Sequence, residues 1–226
     1  MEPKGSFFIS TMVKAVIFDM DGVIAHTNPY HAKSFNEFFA KHQIFPTEEE
    51  FKGHMYGKNN GYILSYFFNR EITGEELKRL EAEKESMFRE VYAKHVKPLP
   101  GLLSFLNDLA RKGIKMAVAT SAPRANLDLI IDKLQIRDYF ESLLSEENVK
   151  THKPSPEVYL QSAENLGFPA SRCLVFEDSF SGASAGLNAG MKVAGVLTSH
   201  TEEELPECDF YIEDFLDEKI KNFRFG

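Results

Sequence analysis

Ala15-Val-Ile-Phe-Asp-Met-Asp-Gly-Val-Ile24 joins a buried-strand pattern to two acids placed where a strand should end. Val13 to Phe18 is a short apolar run with β-branched residues, which suits a strand covered on both faces of a parallel sheet. Such a strand cannot cheaply carry two charges, so Asp19 and Asp21 are expected where it leaves the sheet. In open α/β sheets, ligands bind beyond the carboxyl ends of the strands. Gly22 lets the chain turn tightly or a ligand approach closely. A hard cation such as magnesium would relieve the repulsion between the two carboxylates. Taken alone, Asp-x-Asp-Gly reads as a solvated turn.

Beyond these acids the sequence becomes helical and aromatic. Ala32, Phe35, Phe38 and Phe39 recur at helical spacing within residues 30–42. Thr47-Glu-Glu-Glu50 and Thr73-Gly-Glu-Glu76 read as capping boxes that open further helices. Residues 57–61 are expected to form a polar, flexible loop, followed by an aromatic helix over 62–69. In the last helix of this block Leu77, Leu80, Met87 and Val91 share a stripe. Lys84 falls on it, either snorkelling to the rim or pointing into a cleft. With no strand signal, residues 28–97 are expected to be an all-α insertion with its return linker. Residues 13–27 and 98–226 would form the α/β core. Residues 1–12 read as an N-terminal extension outside the fold and a candidate for disorder, with Met12 a second candidate start.

From Gly101 onward helix and strand alternate, the signature of a Rossmann-like, doubly wound parallel sheet. Helices are expected over 102–112, 127–134, 156–166 and 181–189. Strands are expected over 114–120, 142–145, 173–176, 192–196 and 209–212. Three strands end in polar groups: Asp19 and Asp21, Thr120 and Ser121, and Glu177 and Asp178. Parallel strands put these ends on one edge, so all six side chains can converge. Four converging acids demand a cation or shifted pKa values. Lys153, in a Lys-Pro-Ser-Pro loop, brings a positive charge to the same edge. These are the parts needed to hold a phosphoryl group.

The bulk properties exclude other classes. A net charge of -8 argues against a general binder of nucleic acid or of anionic membranes. Cys173 and Cys208 lie far apart with no Cys-x-x-Cys spacing, as expected of reduced thiols in a cytoplasmic protein. No apolar run approaches the length of a membrane span. The first residues lack the basic segment and apolar core of a signal peptide.

Phe18-Asp-Met-Asp-Gly-Val-Ile24, Val118-Ala-Thr-Ser121, Lys153-Pro-Ser-Pro-Glu-Val-Tyr159 and Val175-Phe-Glu-Asp-Ser-Phe-Ser-Gly182 resemble, in order, the four motifs of the haloacid dehalogenase superfamily. More narrowly, the chain resembles the β-phosphoglucomutase-like branch, which carries a helical cap after the first motif. The resemblance covers residues 13–215. It implies that Asp19 is a nucleophile forming an aspartyl-phosphate and that Asp21 is the acid/base. Thr120 and the amide of Ser121 would bind phosphoryl oxygens, and Lys153 would bridge nucleophile and phosphate. Asp19, Asp178, Glu177 and the Asp21 carbonyl would hold Mg2+. Lys84 matches a cap lysine of sugar-phosphate members, His31 a cap-hinge histidine and Thr27 a linker threonine. The expected partner is a small phosphorylated metabolite, and the expected state a monomer or weak homodimer.

Two departures bear on the reaction. His26-Thr-Asn-Pro29 stands where many branch members have Asp-Ser/Thr-Glu-Pro. Asn60 stands where the mutase has an arginine that grips a distal phosphate. Losing that bidentate clamp favours a phosphatase acting on a monophosphate, a sugar phosphate above all, over a phosphomutase. A non-catalytic phosphate-binding regulator is the third class, disfavoured because it needs no leaving-group acid at Asp21.

Overall fold

The computed structural model describes residues 12–55, 58–223 and 225. β1 (Ala15–Phe18) is buried along its whole length. Val16 and Phe18 join one apolar cluster while Ala15 and Ile17 join another. The alternation puts successive side chains on opposite faces, so an unbroken apolar run is what a strand covered on both sides requires.

Four helices follow β1 before the chain returns to the core: α1 (Asn28–Lys41), α2 (Glu48–His54), α3 (Asn60–Phe67) and α4 (Gly74–Tyr92). Then come α5 (Leu102–Arg111), β2 (Lys115–Ala119), α6 (Arg124–Leu134) and β3 (Ser142–Leu144). α7 (Glu157–Leu166), β4 (Cys173–Glu177), α8 (Phe180–Asn188) and β5 (Lys192–Val196) continue the alternation. β6 (Phe210–Ile212) and the short α9 (Glu218–Asn222) close it.

All six strands are parallel, in the order β3-β2-β1-β4-β5-β6. Leu106 of α5 and Ile130 of α6 pack on one face with Phe18. Tyr159 of α7 and Ala183 of α8 pack on the other with Ile17. The sheet is thus covered on both faces by helices, the doubly wound architecture expected from the sequence. Strand order reverses beside β1, and this is where such sheets open a crevice for ligands. Phe18 is in register with both Val118 and Phe176. The three chemistry-bearing strand ends are therefore immediate neighbours. Phe18 and Phe176 stack at 5.4 Å and 10° directly behind them, a pairing of the kind that contributes ~0.5–1.5 kcal/mol beyond area burial.

The helical insertion has its own apolar centre, in which Phe35, Phe38, Phe39, Phe51, Leu64 and Leu80 are buried. α4 belongs to both units. Its first half joins that centre through Leu80, and its second half joins the sheet's core through Phe88 and Tyr92. Among the described residues no helix is long and apolar enough to cross a membrane.

Several local expectations are revised. The buried face of α4 runs Leu80, Lys84, Phe88 and Tyr92, with Met87 and Val91 only half-buried. The expected stripe had drifted off the true face after Lys84. Thr47 forms its capping box with Glu50, but Thr73 makes no side-chain cap bond. Gly74 takes a positive φ of 60° there. The expected loop at 57–61 is shorter: Asn59 caps α3, which starts at Asn60, while Gly57 lies outside the described residues. The expected extension over 1–12 lies outside them too, except for Met12.

Candidate active site

Asp19 follows β1, Thr120 follows β2, and Glu177 ends β4 with Asp178 next. The sheet edge brings all four together. They line one cavity with Asp21, Ser121 and Lys153, and with Lys84, His31 and Asn60 from the insertion. Every residue singled out for the site is therefore gathered at one place. The cavity holds about 120 Å3, less than the ~300–1,000 Å3 of ordinary small-molecule sites.

Lys153 is the hub of the acidic side. Its ammonium donates to Asp19 Oδ1 at 2.6 Å, Glu177 Oε1 at 2.7 Å and the Ala119 carbonyl at 3.1 Å. Burial disfavours the lysine's charge, but Asp19 and Glu177 more than reverse this and hold it charged well above the ordinary lysine range. Glu177 is saturated: Oε1 also accepts from the Tyr159 hydroxyl at 2.8 Å. Its Oε2 accepts from the amide and hydroxyl of Ser179 at 3.1 and 3.0 Å.

Two glycines make room for these carboxylates. A Cβ on Gly182 would fall 1.6 Å from Glu177 Oε1. Gly22 has a φ of 73°, and a Cβ there would fall 1.9 Å from Asp178 Oδ2.

Asp178 is held by groups that the sequence did not flag. Its Oδ2 accepts from Asn28 Nδ2 at 3.1 Å and from the Ser199 hydroxyl. Its carbonyl meets His200 Nδ1 at 3.0 Å. His200 thus belongs to the support of the site. Asp21 Oδ1 accepts from the buried Thr27 hydroxyl at 2.5 Å and lies 3.4 Å from His31 Nε2. His31 Nδ1 meets the Lys84 ammonium at 2.8 Å. An ammonium can only donate, so Nδ1 accepts and the ring proton sits on Nε2, facing Asp21. The ring is fixed by stacking on Phe88 at 3.7 Å. The Thr120 hydroxyl accepts from the Ala122 amide at 3.0 Å.

The donor set suits a hard divalent cation. Carboxylate oxygens of the buried Asp19, Glu177 and Asp178 lie within 4.8 Å of one another. Burial, opposed by Lys153 and reinforced by Glu177, Asp178 and Asp21, pushes the Asp19 carboxyl well above its usual range. Burial and Glu177 push Asp178 up to about 7, against the hydrogen bonds from Ser199 and Asn28. Lysine alone leaves the cluster over-negative, and an oxygen-seeking cation is the natural remedy. Glu177 already has four donors on its two oxygens, so direct ligation there would release one of them.

The sequence profile of the haloacid dehalogenase-like hydrolases matches residues 16–196, from β1 to the end of β5. The chain belongs to that family. Protein CbbY of Rhodobacter capsulatus, a similar protein, is 30% identical over 214 residues, covering 89% of this chain and 93% of that one. The phosphorylated carbohydrates phosphatase of Thermotoga maritima is 30% identical, covering 83% and 87%. The crystal structure of β-phosphoglucomutase from Clostridium difficile matches with a TM-score of 0.81 at 25% identity, covering 93% of this chain and 96% of that one. This haloacid dehalogenase-like hydrolase thus shares its fold, insertion included, with a phosphosugar enzyme.

Proposed function

We propose that the chain is a magnesium-dependent phosphatase that hydrolyses a small phosphomonoester, a sugar phosphate, through an aspartyl-phosphate on Asp19. The observation that carries this is the Lys153 ammonium, set 2.6 Å from Asp19 Oδ1 in a buried cavity that also contains Asp21, Thr120 and Ser121. Asp19 attacks phosphorus, the bond to the leaving oxygen breaks, and Asp21 gives that oxygen its proton. Water then attacks the acyl phosphate while Asp21 takes back a proton, releasing inorganic phosphate and the Asp19 carboxylate. Lys153, the Thr120 hydroxyl and the Ser121 amide hold the phosphoryl oxygens in both steps. Asp19, Asp178 and the Asp21 carbonyl would hold Mg2+, with Glu177 close behind. When bound, the ion neutralises charge on the transferring group.

The insertion acts as a cap, supplying Lys84, His31 and Asn60 to the distal part of the substrate and excluding bulk water when closed. The phosphorylated carbohydrates phosphatase among the relatives supports the substrate class. Two free thiols support a cytoplasmic setting, and a monomer or weak homodimer completes the reading. The test is phosphate release across a panel of phosphomonoesters, with and without magnesium, against Asp19→Asn. Metal-dependent release abolished by the substitution is expected. Release no greater than that of the variant would overturn the proposal. Isomerisation of a hexose 1-phosphate primed with bisphosphate would establish the mutase instead.

A further inference from the structure

Lys84 and Glu85 are consecutive on α4, yet they are only 1% and 3% exposed, and both line the cavity. The Lys84 ammonium donates to Glu85 Oε1 and His31 Nδ1, each at 2.8 Å, and lies 4.0 Å from the centre of the Phe35 ring. Glu85 Oε1 also accepts from Asn60 Nδ2 at 3.0 Å, and Oε2 accepts from Asn126 Nδ2 on α6 at 2.6 Å. The amide oxygen of Asn126 is itself held by Arg89 at 2.9 Å. Glu85 therefore ties the cap lysine and Asn60 to the α/β core.

This arrangement fixes the charge of the cap side. Lys84 and Glu85 cancel, and the Asn60 amide is turned to the carboxylate. A second phosphate brought here would meet an ammonium already paired and a buried carboxylate of its own sign. Like charges placed together in a desolvated contact oppose binding. An ionised carboxylate has about four lone-pair sites, and three have protein donors. The remaining one suits a hydroxyl.

We propose that Glu85 is a specificity-determining residue that selects monophosphates with a neutral, hydroxyl-bearing distal end and rejects a second phosphate. It rests on the phosphatase reading for the identity of the reaction, but the selection itself can be read without turnover.

The experiment compares a hexose monophosphate with its bisphosphate in two ways. The first is kcat/KM for phosphate release in wild type and Glu85→Gln. The second is calorimetric affinity in Asp19→Asn and in Asp19→Asn with Glu85→Gln. Expected are a wild-type preference for the monophosphate of about tenfold or more and a ratio narrowed about tenfold by Glu85→Gln through the KM of the bisphosphate. A ratio taken within one preparation is independent of the fraction folded, and the wild-type arm needs no buried substitution. Equal handling of the two ligands by wild type, or a ratio unmoved by Glu85→Gln, overturns the assignment. Absence of turnover with the binding preference intact refutes the phosphatase and supports the selection; turnover with equal affinities does the reverse.

Discussion

Replacing Tyr159 by phenylalanine removes one oxygen atom from beneath the site. That hydroxyl donates to Glu177 Oε1 at 2.8 Å, the same oxygen that Lys153 grips at 2.7 Å. Tyr159 is fully buried, and burial holds its hydroxyl protonated well above the usual range, with Glu177 adding to the effect. The ring packs unchanged in the variant, so the loss is the hydrogen bond and little else. A bond to a charged acceptor contributes ~1.5–3 kcal/mol. In a chain of this size ~1 kcal/mol moves Tm by ~2–4 °C, so a fall of roughly 3–12 °C is expected. Lys153 keeps Asp19, Glu177 and the Ala119 carbonyl. The kcat for phosphate release should therefore drop by about tenfold or less, far short of its abolition in Asp19→Asn. KM should hardly change, because Tyr159 is not part of the cavity lining. Urea unfolding and steady-state phosphate release measure the two effects. An unfolding free energy within ~0.5 kcal/mol of wild type would refute the view that Glu177 depends on all four of its donors.

Gly182→Ala puts a methyl group 1.6 Å from Glu177 Oε1, so the carboxylate must swing away and release Lys153. A fall in kcat of ~100-fold or more is expected, while Gly53→Ala, with open space around it, should leave phosphate release unchanged. Near-equal activity of Gly182→Ala and wild type would contradict the described packing. Glu146, half-buried in the turn after β3, has its carboxyl pushed up to about 8 by burial and by Glu81, Glu147 and Glu85. Its folded pKa lies above the unfolded value, so the folded chain keeps a proton that the unfolded chain has released; stability present at low pH is lost as pH rises toward about 8. Glu146→Gln mimics the protonated form and should raise stability by ~1–2 kcal/mol at pH 8.5 after allowance for solvent screening, with almost no gain at pH 5. Equal melting shifts at both pH values would count against it.

The sheet was legible because its strands are short apolar runs between glycines and polar turns, a pattern governed by local physics. The acids at the ends of β1 and β4 were legible for the complementary reason: a buried strand cannot absorb them. What holds those acids was not visible. Asn28 opens a helix and Ser199 follows a strand, and each is unremarkable beside its sequence neighbours. Only the parallel register of β1, β4 and β5 brings them to Asp178. Thr73 shows the opposite failure, a good local motif that makes no side-chain cap bond in the folded chain.

Glu85 shows why specificity is harder to read than catalysis. A helix advances by about 100° per residue, so a lysine on an apolar stripe leads one to expect its next neighbour in solvent. Here α4 is packed between His31 of α1 on one side and Asn126 of α6 on the other, and both Lys84 and Glu85 are enclosed. A lysine alone implies an anion-binding surface. A lysine locked to a buried carboxylate implies a polar surface with no net charge, and only the folded chain shows which of the two is present. The acidic motifs on the sheet concern the phosphoryl group common to the proposed substrates. Discrimination at their other end depends on a pairing set by packing between α1, α4 and α6.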